Sequence, residues 1–305
     1  MIIDAAELKR RYVQRIAGVR DKKAYIGPEI VTLELTNACN IRCQFCYADH
    51  SPGNPAHFDK AHYFPREKFF RIIRDCVDLN VDQITILGTG EPTIHPSFRD
   101  MMQHLENQPV YVKLFTNATF SLEYCSDVIK VDHVIVNLSS VDRQQYLDLQ
   151  GKDLFDRVVA NIERLVSLRD TSKPGFKIEI AYIVNSVNFN QIQKMKELAF
   201  QLGVNSVYFQ KMREHVYNQK IALPKNLMSE LAEVEKRNVP ASLNGWFYVL
   251  VTSDGYFYNC YQISQIRYGD FDKWSLKQFW LSPHMMKIRL LRKYGHVQGI
   301  DRKFG

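Results

Sequence analysis

From residue 30 onward the chain alternates short β-branched runs with longer amphipathic ones, and no other feature limits the fold so tightly. Strand-like runs fall at 30–35, 83–87, 111–115, 133–138, 177–184 and 206–210. Helical patterns lie between them at 66–79, 97–106, 121–129, 154–168 and 189–201, with Gly203 as a C-terminal stop. Such alternation builds βα units and a parallel sheet. Six parallel strands with outer helices form either an open doubly wound sheet or a partial barrel, and both gather binding sites at the carboxyl ends of the strands.

With 305 residues, 46% of them hydrophobic, the chain can bury one large core, or one core plus a small appendage. Residues 1–20 carry Lys9, Arg10, Arg11 and Arg15 among apolar positions and lack the uninterrupted apolar core of a signal peptide. They read as an amphipathic helix packed on the core, with a targeting segment as the alternative. No stretch is long and uncharged enough to span a bilayer. The net charge of +7 comes from Lys and Arg scattered along helices, which describes a solvated basic surface. Nucleic-acid binding would need a basic and aromatic platform, and none is visible. Six cysteines, three clustered and three scattered, do not form a disulfide framework and fit a reducing cytoplasm.

Past residue 212 the alternation ends. Residues 213–240 read as a linker and a helix at 225–237, bounded by Pro224 and Pro240. An aromatic strand at 246–251, a turn at Asp254-Gly255 and a return at 256–258 form a β-hairpin. A helix at about 275–294 follows. The expected organisation is an N-terminal helix (1–24), a βα core (25–215) and an extension (216–305).

The chemistry centres on Cys39-Asn40-Ile41-Arg42-Cys43-Gln44-Phe45-Cys46, just after the first strand. Three thiolates at CxxxCxxC spacing suit an iron–sulfur cube, because three cysteine ligands leave the fourth iron open. A closed structural zinc site wants four ligands and usually paired CxxC knuckles, of which there is no second here. His50 could complete a three-cysteine zinc site, so a non-catalytic zinc protein is the alternative. The spacing, Phe45 before the last cysteine and the strand leading in resemble the radical S-adenosylmethionine (SAM) superfamily.

That resemblance implies an α/β partial (β/α)6 TIM-type barrel with a small C-terminal β-hairpin plus helix appendage. It implies one [4Fe-4S] cluster on Cys39, Cys43 and Cys46, with SAM at the open iron cleaved to a 5'-deoxyadenosyl radical. An electron donor such as flavodoxin or ferredoxin would be the partner. Gly88-Thr89-Gly90-Glu91-Pro92 resembles the family's Gly-Gly-Glu-Pro motif, with Thr89 in place of the first motif glycine. Thr116-Asn117 resembles Thr-Asn-Gly, with Ala118 replacing a glycine that can adopt positive φ. Asn137-Leu138-Ser139-Ser140 is similar to the Ser-Leu-Asp segment that meets the SAM ribose. Asn137 can donate and accept, as two hydroxyls require, whereas Ser139 and Ser140 also suit a helix cap. Leu149-Gln150-Gly151 echoes an Arg-Gly pair without its arginine. The expected SAM contacts are Phe45 at the adenine, Thr89, Gly90, Glu91, Asn117, Asn137 and Ser139. His50, His57 and His62 in the Pro/Gly-rich loop 48–64 read as cover over the cluster.

Cys76 and Cys125 sit in amphipathic patterns and read as small buried hydrophobes. Cys260 follows the hairpin in a segment that resembles the SPASM or twitch extensions of the superfamily, which bind extra clusters through several cysteines. No cysteine follows Cys260. Two enzymatic readings result. One is an epimerase of a sugar-containing metabolite or peptide with Cys260 as hydrogen donor. The other is a dehydrogenase or rearranging enzyme in which Cys260 takes no part.

Overall fold

The computed structural model describes residues 3–46, 60–212, 221–223, 243–258 and 267–293. The six expected strands are β1 (Ile30–Glu34), β2 (Gln83–Leu87), β3 (Tyr111–Thr116), β4 (His133–Asn137), β5 (Lys177–Val184) and β6 (Ser206–Lys211). They lie in the order β6-β5-β4-β3-β2-β1 and are all parallel. Val31, Leu33, Ile84, Ile86, Val134 and Val136 are essentially inaccessible, as strands covered on both faces require. The helices α1 (Ala5–Asp21), α2 (Arg66–Asp78), α3 (Phe98–Leu105), α4 (Cys125–Val128), α5 (Arg143–Gln150), α6 (Phe155–Ser172) and α7 (Ile192–Leu202) complete the βα units. Contacts run in series from α2 to α3, α4, α6 and α7, the outer layer of a partial barrel.

Local chemistry explains the differences from expectation. The helices expected at 121–129 and 189–201 each open with a 3-10 turn, Leu122–Tyr124 and Phe189–Gln191. Gly203 ends α7 in the left-handed region, at φ 72°. The short helix α5 was not expected. Asp142 caps it by accepting from Gln145 N–H, and Gly151, at φ 76°, ends it by donating to Leu147 O.

Beyond the barrel, β7 (Tyr248–Val251) pairs in parallel with β1, β8 (Tyr256–Tyr258) returns antiparallel to β7, and β9 (Gly269–Asp270) lies antiparallel to β8. The hairpin therefore continues the barrel sheet past β1. Trp246 and Phe247, expected in this strand, lie instead in the short helix Asn244–Phe247. Pairing starts at Ile30 opposite Tyr248, so earlier residues have no β1 partner and pack with Val19 of α1. The terminal helix is two helices, Leu276–Leu281 and Pro283–Lys293. Ser282 is extended, at φ −71° and ψ 151°, because a residue before proline is pushed out of the helical region. Arg289 is fully buried with its guanidinium over the Trp246 and Trp280 rings, donating to Gly245 O and Trp280 O. The helix expected at 225–237 lies outside the described residues. Among the described residues no helix is long and apolar enough to cross a membrane.

The helix α1 is held by buried charge. Arg15 Nη1 lies 2.6 Å and Arg11 Nη1 3.1 Å from opposite oxygens of Asp82, which sits just before β2. Arg15 also donates to Gly27 O and Pro28 O, and Arg11 to Asn80 O. Removing one partner of such a group strands the other charges in a dry environment. Asp82→Ala should destabilise the fold by about 3–5 kcal/mol in denaturant unfolding. A loss below about 1 kcal/mol would show that water reaches the pair and screens it.

Candidate active site

A cavity of about 280 Å³ opens where the parallel strands end. Its wall combines Cys39, Cys43, Phe45 and Cys46 from the loop after β1, Gly88–Pro92 after β2, and Asn117 after β3. Asn137 at the end of β4, Ile183 on β5 and Gln210 on β6 face the same space. Glu34 and Leu250 close it on the β1 and β7 side.

The cysteine loop is clamped from two flanks. On one, Gly90 N–H donates to Thr36 O and Glu91 N–H to Ala38 O, 2.8 Å away. A Cβ on Gly90 would fall 1.8 Å from Ala38 O, and one on Gly88 2.6 Å from Thr36 O, so both glycines permit contact between the two loops. On the other flank, Arg42 N–H donates to Gln150 O and Gln44 N–H to Leu149 O, so the loop occupies carbonyls at the end of α5. Ahead of the cysteines, Asn37 Oδ1 accepts from His62 N–H and Thr36 Oγ1 donates to His62 O.

Glu91 ties the second loop to the third. Its Oε1 accepts from Thr93 N–H, Thr93 Oγ1 and Thr116 Oγ1, and its Oε2 accepts from Asn117 N–H at 2.7 Å. Asn117 then joins a closed ring. It donates to Asn40 Oδ1, Asn40 donates to Thr119 Oγ1, and Thr119 Oγ1 donates back to Asn117 Oδ1. Ala118 adopts φ 53°, the conformation a glycine would adopt without steric cost, and Asn161 Nδ2 holds the turn by donating to Ala118 O and Phe120 O.

Thr89 departs from the motif glycine for a visible reason. Its N–H and Oγ1 both donate to Glu34 Oε2, while Ser253 N–H and Oγ, in the β7–β8 turn, donate to Glu34 Oε1. Glu34 thus joins the first strand, the Gly-rich loop and the hairpin. Ser139 is not among the residues lining the cavity. It is fully buried, its Oγ accepts from Ile183 N–H and lies 3.4 Å from Asn137 Oδ1, which positions it behind Asn137. Phe45 packs with Leu149, Met212 and Ile221 and also faces the cavity. Cys260, His50 and His57 lie outside the described residues. The sequence reading did not single out Glu34, Ser253, Asn40 or Thr119. An acidic residue inside the apolar first strand was the available signal for Glu34.

Burial pushes the Cys39 thiol above its ordinary range and the Cys43 thiol well above it, with Cys46 and Cys39 adding to the effect at Cys43. Burial likewise raises Glu34 and Glu91, against the hydrogen bonds that favour their carboxylates. Thiols held protonated bind metal by releasing protons. Among the described residues no three His, Cys, Asp or Glu side chains converge on a single-ion position. A cube does not need that convergence, since each of its irons takes its own thiolate, and the three thiols on one cavity wall fit it.

Residues 33–199 match the radical SAM superfamily, and the chain belongs to that family. Its cofactors are a [4Fe-4S] cluster and SAM, which replaces the zinc reading. A tungsten-containing aldehyde ferredoxin oxidoreductase cofactor-modifying protein from Pyrococcus furiosus is 26% identical over 182 residues, 57% of this chain and 49% of its own. A probable GTP 3',8-cyclase from Saccharolobus islandicus is 23% identical over 183 residues, 59% of this chain and 56% of its own. The chain thus spans about half the length of these curated relatives. Among solved structures, Streptococcus suis SuiB bound to SAM superposes with a TM-score of 0.69 at 16% identity, over 94% of this chain and 74% of SuiB. Native anSMEcpe with bound SAM and a peptide superposes with a TM-score of 0.62 at 17% identity, over 88% of this chain and 84% of that one. These neighbours share the fold, a partial barrel.

The contact at Gly90 is open to test. Gly90→Ala should force the Gly-rich loop off Ala38 and reduce cluster iron per chain at least several-fold after anaerobic reconstitution, while far-ultraviolet circular dichroism stays that of the parent. Full iron content in Gly90→Ala would show that the two loops are not held together at this point.

Proposed function

We propose that this radical SAM enzyme inverts a carbon centre in a sugar-containing metabolite or a peptide. The observation that carries the reading is the single cavity shared by the three thiols, the Gly-rich loop, Asn137 and side chains from β6 and β7. When bound, the cluster supplies an electron and SAM the 5'-deoxyadenosyl group that takes hydrogen from carbon. The chain's residues position and enclose these groups. Asn137 offers an amide to the ribose hydroxyls, Ser139 braces Asn137, and Phe45 presents an apolar face for the adenine. Thr89, Gly90, Glu91 and Asn117 shape the pocket for the amino-acid end of SAM. Radical SAM enzymes need a reductant, and flavodoxin or ferredoxin in a reducing cytoplasm suits this one.

Cys260 is the proposed hydrogen donor. Hydrogen removed and returned on one face of a carbon changes nothing, so inversion needs a second donor on the opposite face. A thiol serves because its S–H bond is weaker than an alkyl C–H bond. Its hydrogen atom passes to the substrate carbon, and the thiyl left behind takes one electron from the reductant and one proton from solvent. Support comes from the hairpin: β8 ends two residues before Cys260 in the sequence, and its partner β7 contributes Leu250 to the cavity. The relatives named as cyclases support a second reading, a rearrangement in which Cys260 takes no part.

Turnover in heavy water distinguishes the two. The epimerase reading expects one solvent deuterium at the inverted carbon, and Cys260→Ala should retain the cluster and cleave SAM yet lose inversion. Unchanged product from Cys260→Ala would move the assignment to rearrangement or oxidation. Separately, Asn137→Ala should weaken SAM binding by about 1–3 kcal/mol without loss of iron. Equal affinity in isothermal titration calorimetry would make Asn137 a structural residue only.

A further inference from the structure

Two polar side chains beneath the cysteine loop are left without a nitrogen or oxygen partner among the described residues. Tyr146 and Gln150 lie four residues apart on α5 and therefore share a face of the helix. Both are completely buried. Among the described residues the phenol oxygen of Tyr146 and both Nε2 and Oε1 of Gln150 meet no partner in hydrogen-bond geometry, though the Gln150 amide lies against the Cys43 thiol. Folded proteins rarely leave such groups dry unless something other than polypeptide takes the bond. Leucine and phenylalanine would fill the same space without that cost.

Both side chains are close to the cysteines. The Gln150 amide offsets a small part of the large rise that burial imposes on the Cys43 thiol, and the Tyr146 phenol, raised chiefly by burial, is raised further by Cys43, Glu91 and Cys39. Their position is set by the backbone, since Gln150 O and Leu149 O receive the N–H groups of Arg42 and Gln44, on either side of Cys43. The amide and the loop therefore share one frame. Gly151 makes this possible, because a Cβ there would come within 2.9 Å of Arg42 O.

We propose that Gln150, seconded by Tyr146, donates a hydrogen bond to sulfur of the bound cluster, at the Cys43 thiolate or an adjoining sulfide, and so raises its reduction potential. The proposal rests on the cluster assignment above. Reduction adds one electron from an external donor and breaks no bond, and both donors keep their protons. The reduced cluster carries one more negative charge than the oxidised one, and an N–H or O–H aimed at its sulfur stabilises the more negative form. This assigns a role to the position where the family's arginine is missing. A neutral amide would tune the site without adding a full charge.

The test compares reconstituted wild type, Gln150→Leu and Tyr146→Phe by reductive titration with dithionite and mediators, followed by electron paramagnetic resonance. Iron and sulfide per chain are measured on the same samples. With iron at the wild-type level, Gln150→Leu should have a more negative midpoint, its reduced-to-oxidised ratio at a fixed potential falling about tenfold, which is 59 mV for one electron. Tyr146→Phe should shift in the same direction. Cluster-free Gln150→Leu should melt no lower than cluster-free wild type, because an unpaired amide has been removed from the core. Should Gln150→Leu fail to take up iron, Gln150→Met, of similar length and without an N–H, is titrated in its place. An unchanged or higher midpoint in the Gln150 variant overturns the proposal, whereas a wild type that takes up no iron would overturn the cluster assignment itself.

Discussion

The buried carboxylate of Glu91 holds the site together. Its two oxygens accept from four donors on two different loops. A carboxylate in a dry environment is tolerated only when its acceptor positions are filled, so the loops after β2 and β3 cannot separate without stranding a charge. Because Gly90 and Glu91 also donate from their backbone to Thr36 and Ala38, the constraint extends to the cysteine loop. The three segments behave as one piece, with the Asn117, Asn40 and Thr119 ring closing its far side.

A second buried carboxylate extends the same frame to the C-terminal extension. Glu34 accepts from Thr89 in the Gly-rich loop and from Ser253 in the hairpin turn, so the hairpin is coupled to the site by polar bonds as well as by the pairing of β7 with β1. At the opposite end of the barrel Asp82 does comparable work for α1 through Arg11 and Arg15. In both places the continuous sheet supplies the geometry, and buried charge fixes what packs against its ends.

Much of this was legible in the sequence because fully buried parallel strands are written as unbroken β-branched runs. The strands at 83–87 and 177–184 have the bounds their composition indicates. The helix α5 was missed since Arg143–Gln150 is mostly polar. Its signals were the cap Asp142 and the stop Gly151, which are easily taken for loop residues. The motif departures at Thr89 and Ala118 were visible, but their explanations lie in partners remote in sequence. Thr89 meets Glu34, and the Ala118 turn is held by Asn161. A one-dimensional pattern carries no information about such pairings. The break before Pro283 follows a local rule and was open to prediction.

The central claim is that the three thiols on one cavity wall hold one iron–sulfur cube, around which the buried carboxylates organise the loops. The most direct measurement is iron and acid-labile sulfide per chain after anaerobic reconstitution, in the wild type and in a variant with Cys39, Cys43 and Cys46 all replaced by alanine. The account predicts about four of each in the wild type and none above background in the triple variant. Cluster iron retained by the triple variant, or a single zinc ion without sulfide in the wild type, would contradict it.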